Sequence, residues 1–249
     1  MARGHLWLAL HRSPAWLGLL IFFVATNFTM GIVELLITPL VLSFTSATTL
    51  GLVLSIAGCG MLVGTLVMSA WGGPKRRVYG VLGFTLLQGM LLFLGGLRPN
   101  VPLVTSAAFV YLFSSPIIFG SSQAIWQSKV EPDVQGRVFA ARATIAWSAL
   151  PFAYLSSGPL VDHVFEPLLA SGGPLAGSLG QLVGVGPGRG IGLLFIVLGI
   201  LSVLATVGGY LYPRLRLVED ELPDAVGDDA LAATDVASST EAVPVRLSP

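Results

Sequence analysis

Six stretches of the chain run for about twenty positions or more with almost no charged side chain, and polar, glycine- or proline-bearing links separate them. They fall at 16–44, 50–71, 78–97, 101–122, 139–161 and 191–210. A bilayer core is crossed by roughly 20 mostly apolar residues in a helix, so each stretch is long enough to span. Transmembrane strands would instead alternate over about ten residues. Segments such as Leu193 to Leu201 are apolar on every face, which excludes that pattern. The pattern predicts an all-α membrane protein with six transmembrane helices, organised as a leader over 1–15, a membrane domain over 16–212 and a tail over 213–249.

Composition agrees. Apolar residues make up 54% of the chain and charged residues only 10%, too little polar surface for a water-soluble globule of this size. Mean hydropathy is +0.82. The net formal charge of zero and the dispersed cations give no support for nucleic-acid binding. A single cysteine, Cys59, can form neither an intramolecular disulfide nor a metal cluster. The first apolar run is far longer than a signal sequence and lacks a small-residue cleavage site, so it is expected to remain as the first span.

The cations set an orientation, because short cytoplasmic loops retain Lys and Arg. Arg3 and Arg12, then Lys75, Arg76 and Arg77, then Lys129 and Arg137, then Arg214 and Arg216 all fall on one side of a six-span topology. The other side receives only Arg98 and Arg189. Both termini are expected in the cytoplasm, with the protein in the cell (plasma or inner) membrane. The glycine- and proline-rich loop 162–189 is expected outside as a partly ordered cap. The acidic tail, with Glu219, Asp220, Glu221, Asp224, Asp228 and Asp229, has too few apolar groups to fold alone and is expected to be disordered.

Ionisable and polar residues within spans are costly and mark candidate sites. On the first span Asn27, Met30, Gly31, Glu34 and Thr38 recur at intervals of three or four and share one face. Glu34 either cycles a proton or binds a cation in a cavity, or hydrates near the outer surface. The fourth span carries Tyr111, Ser115, Ile118 and Ser122 on one face, interrupted by Pro116. Pro116 and Pro39 read either as ordinary kinks or as breaks at a binding site. On the fifth span Trp147, Pro151, Tyr154 and Gly158 form a further face, suited to an apolar ligand or to plain packing. Gly60 and Gly64 are a small-xxx-small pair that allows close approach of two helices. Arg142, one turn into the fifth span, either snorkels to the cytoplasmic interface, the expected outcome, or joins an intramembrane pair. No catalytic centre is expected: Ser121, Ser122, Asp162 and His163 have no nucleophile–base spacing, and neither metal-ligand nor cofactor motifs occur.

Two cytoplasmic segments are more specific. One is Gly72-Gly73-Pro74-Lys75-Arg76-Arg77, preceded by Gly64, and the other is Glu131-Pro132-Asp133-Val134-Gln135-Gly136-Arg137-Val138. Together with Gly158-Pro159-Leu160-Val161-Asp162 and Phe165-Glu166-Pro167, they make residues 16–216 resemble the C-terminal six-helix half of a major facilitator superfamily transporter, in its macrolide-efflux and enterobactin-exporter branch. Lys75-Arg76-Arg77 match the basic loop that follows the second helix of each half, although Met68 and Ser69 stand where the family's loop Asp is expected. Gln135-Gly136-Arg137-Val138 is similar to the branch's Arg-Gly-Arg-Val, with Gln135 replacing the first Arg.

The resemblance implies a 3+3 inverted repeat whose first and fourth spans line a cavity, joined by the second and fifth, with the third and sixth toward lipid. It implies secondary transport, expected as efflux of a small, partly apolar molecule across the lipid bilayer. Asn27, Glu34, Tyr111, Ser115, Trp147 and Tyr154 are the expected pathway residues, and Lys75, Arg76, Arg77, Asp133 and Arg137 the expected cytoplasmic gate. One half does not enclose a path, so the resemblance also implies a second six-helix half, from a second copy or a separate chain. The alternative is a non-transporting membrane interaction subunit or a truncated transporter fragment.

Overall fold

A computed structural model describes residues 14–130 and 132–212. The predicted tail and all but the last two residues of the leader lie outside these residues. The described chain is helical, and six of its helices are long and apolar enough to cross a membrane. They are α1 (Pro14–Leu42), α2 (Ala47–Trp71), α3 (Arg77–Leu97), α4 (Val101–Lys129), α5 (Pro132–Leu160) and α6 (Arg189–Leu211).

Local chemistry sets the helix ends. Ser46 caps α2, its hydroxyl accepting from the Thr49 N–H at 3.3 Å, and Asn100 caps α4 by accepting from the Leu103 N–H at 3.1 Å. α2 stops at Gly72, whose positive φ of 75° lets its N–H donate back to Met68 O, and Gly73 at 88° completes the turn into Pro74.

The segment between spans four and five, read as a loop, is helical over its described residues except at Val130. α4 runs on to Lys129 and α5 begins at Pro132. The turn between them is held by Gln135, whose side-chain amide donates to Gln127 O at 3.0 Å and Val130 O at 2.9 Å. That satisfies carbonyls left over at the end of α4, which is why the helix can extend so close to the next one.

Packing follows the small residues. α2 lies parallel to α4, with Gly60 against the Phe109 carbonyl and Gly64 against that of Phe113. A side chain at either glycine would collide with backbone, so the pair acts as the sequence pattern predicts. α3 and α6 lie antiparallel with glycines on both sides, Gly89 meeting Gly199 and Gly96 meeting Gly192. α1 lies parallel to α5 across Gly31, where an added Cβ would stand 2.9 Å from Ala153 Cβ. α3 also packs on α4, and α1 on α6. This pairing maps onto itself when the first three helices are exchanged with the last three. α3 and α6, the two spans expected toward lipid, bury the largest shares of their membrane windows, 44% and 56%, because they embrace each other through those glycines. α2 and α5 bury the least, 22% each.

The segment after α5 is more ordered than a loop. Helical winding widens over Val161–Phe165, continues through Glu166–Leu169 and returns in a single turn at Gly180–Val183. Leu169 and Val183 are buried against Leu193 and Ile196 of α6, so the segment caps that end of the bundle. Glu166 fixes the cap by accepting the Gly188 N–H at 2.7 Å, and the buried Arg189 donates to Val183 O at 3.3 Å.

Candidate functional site

Two cavities carry the polar residues singled out above. The first, about 430 Å³, is walled by α1, α2, α3 and α4 and closed by Phe195 of α6. Its lining is apolar, including Met30, Ile37, Met61, Leu92 and Leu112, apart from Glu34 and Tyr111. The Tyr154 hydroxyl, from α5, donates to Glu34 Oε2 at 3.1 Å. The 3.6-residue repeat of α1 explains the placement: Ile32 and Leu36 turn into the core, Gly31 meets α5, and Glu34 is left on the boundary between α5 and the cavity. A carboxylate held by one neutral hydroxyl on an apolar wall can accept a proton or attract a cationic group.

The second pocket, about 450 Å³, lies between α1, α4 and α5 toward the basic end of the bundle. Asn27 and Trp147 line it with Phe23, Phe119, Gln123 and Arg142. Asn27 is nearly buried and returns its amide to Phe23 O at 2.8 Å. The polar face of α1 therefore serves two cavities, because the contact of Gly31 with Ala153 and Leu150 interrupts it.

Arg142 corrects an expectation. Its guanidinium turns inward, donating to Ser122 Oγ at 2.6 Å and Gln123 Oε1 at 3.3 Å, and it lies over the rings of Phe23 and Trp126 at 5.2 and 5.0 Å. Acceptors on the facing turn of α4 outcompete the interface, since the parallel packing of α5 beside α1 leaves them within reach.

Ser115 lines neither cavity. It is buried where α3 meets α4, its hydroxyl donating to Tyr111 O at 3.2 Å. There it accepts from Gln88, a residue the sequence reading passed over, whose amide also reaches Tyr111 O, both at 3.0 Å. A buried amide in an apolar helix was the available signal. Pro116, the next residue along α4, lacks an N–H and weakens the ladder at this turn, and Gln88 braces it from α3.

Of the gate candidates, Arg77 reaches across from α3 to donate to Ala124 O of α4 at 2.8 Å, and Arg76 lies 6.0 Å from the Tyr79 ring. Lys75 is exposed in the turn before α3, and Asp133 and Arg137 occupy the first turns of α5. Ser122 accepts from Arg142, and the His163 ring meets Pro159 O one turn back at 3.3 Å. The described residues contain no cluster of potential metal ligands.

Comparison with known proteins fits this picture. Macrolide efflux protein A of Streptococcus pyogenes is 27% identical over 112 residues, which cover 42% of this chain and 26% of that protein. Macrolide efflux protein A of Enterococcus faecalis is 28% identical over 99 residues, 37% of this chain and 29% of its own length. The chain is thus a distant, partial relative of efflux proteins. The aligned stretch spans little more than a quarter of either relative. No protein-family model and no solved structure matches the chain.

Proposed function

We propose that this six-helix chain is a transport domain of the major facilitator type that exports a small, partly apolar molecule from the cytoplasm. The observation that carries the reading is Glu34, the one ionisable carboxylate on the wall of an otherwise apolar cavity of about 430 Å³, with Tyr154 on its oxygen and Tyr111 opposite. In such a site protonation of Glu34 alternates with binding of a cationic or polar group, while the aliphatic walls take the apolar body.

The working unit pairs this domain with a second six-helix half, from another copy or from a different polypeptide. The self-mapping helix pairing supports a 3+3 inverted repeat, in which one half rocks against the other around a central site. The unit resides in the cell membrane with the basic end, including Lys75, Arg76, Arg77 and Arg137, in the cytoplasm; Arg77 ties α3 to α4 there as a gate element.

The test is uptake into inverted vesicles carrying the protein as expressed, whose lumen corresponds to the cell exterior, with a macrolide as the first substrate because the relatives are named for it. Loss of export in the double variant Glu34→Gln, Tyr111→Ala, at unchanged protein level, is expected. Export at the wild-type rate by that variant sinks the proposal.

A further inference from the structure

The Arg142 pocket has a chemistry opposite to that of the Glu34 cavity. A guanidinium carries five N–H donors and a charge that never leaves it. Among the described residues, the partners of Arg142 are two neutral oxygens, on Ser122 and Gln123, and two aromatic faces, Phe23 and Trp126. Among the described residues, the charge is therefore held in place by neutral groups alone, with no carboxylate on it.

The pocket beside it is about 450 Å³. Its walls include Phe119, Phe139 and Trp147, and Trp147 is 67% exposed. Aromatic walls suit a flat apolar body, and a fixed guanidinium at one end suits a bidentate acid group.

We infer that this pocket is a binding subsite for amphipathic organic acids, in which Arg142 pairs with a carboxylate or phosphate while the aromatic residues take the ring system. Ser122 and Gln123 act as positioning residues: they hold the guanidinium plane so that its remaining donors face the pocket. The inference goes beyond the transport reading and does not depend on Glu34, because it concerns equilibrium binding.

The experiment uses the full chain in phosphatidylcholine nanodiscs and compares 2-naphthoate with the isosteric, neutral 2-naphthamide by thermophoresis. Naphthoate is expected to bind at least tenfold more tightly. Arg142→Gln is expected to bring the two ligands to equal affinity, and Arg142→Lys to restore part of the preference, which separates charge recognition from a folding defect. Trp147→Ala, at an exposed position, is expected to weaken both ligands alike.

Equal binding of acid and amide by the wild-type chain overturns the inference; that is also the result if a carboxylate of a second six-helix unit occupies Arg142. Loss of naphthoate binding when phosphatidylglycerol replaces phosphatidylcholine assigns the anion to a lipid headgroup and overturns it as well. Failure of these binding tests leaves the vesicle experiment on Glu34 untouched, so the two readings fail separately.

Discussion

Replacing Gln88 with leucine removes a brace between α3 and α4 and leaves the helices' shapes nearly unchanged. Gln88 is 6% exposed, and its amide makes two interhelical bonds, to Tyr111 O and to Ser115 Oγ, each 3.0 Å. Interhelical side-chain bonds in membranes contribute on the order of 0.6 kcal/mol each and at most about 1.7. The loss in Gln88→Leu is therefore about 1 to 3 kcal/mol, at the lower end because Ser115 still donates to Tyr111 O at 3.2 Å.

A double-mutant cycle with Ser115→Ala isolates the direct Gln88–Ser115 bond. Reversible unfolding in mixed micelles is expected to give a coupling of about 0.6 kcal/mol or more for that pair. Additivity within about 0.3 kcal/mol would refute the reasoning, since the two side chains would then not share a bond in the folded protein. Gln88→Glu sharpens the contrast. A carboxylate cannot donate to Tyr111 O, and it is expected to cost more than leucine does.

The glycine contacts make a simpler comparison: Gly64→Val is expected to lower stability by more than about 2 kcal/mol, because its Cβ meets the Phe113 backbone. Gly83→Val, where nothing lies within 4 Å, is expected to fall within about 0.5 kcal/mol of wild type in the same mixed-micelle unfolding assay. Glu166→Gln weakens the acceptor at the start of α6 by about 1 kcal/mol. Limited proteolysis between Ala170 and Gly188 is expected to quicken severalfold, and unchanged cleavage would mean that the cap is held by Leu169 and Val183 alone.

Much of the architecture was legible because the bilayer leaves so few options. Long apolar runs admit only helices, and glycines four apart announced the α2–α4 contact before any partner was known. Side-chain direction was less legible. Arg142 was expected to reach for the interface because its distance from acceptors on α4 depends on how α5 and α4 pack, which spacing along one helix does not encode. Gln88 escaped notice for a related reason, as its partners lie 23 and 27 residues away on another helix. Asn27 and Glu34 were read as one face of α1, yet they line two different cavities, since a single glycine contact with α5 falls between them.

The glycine contacts also decide where the bundle has slack. α2 is keyed to α4, α4 is braced to α3 by Gln88, and α3 is keyed to α6, so these four helices resist sliding past one another. α1 and α5 form a separate pair leaning on that block. The Glu34 cavity, the Arg142 pocket and a third hollow of about 520 Å³ bounded by Phe22, Thr85, Phe152 and Ser202 all lie along the seam between the pair and the block. Space in this molecule is thus gathered along one boundary, where the α1–α5 pair forms a wall of all three cavities, α1 in each and α5 in two.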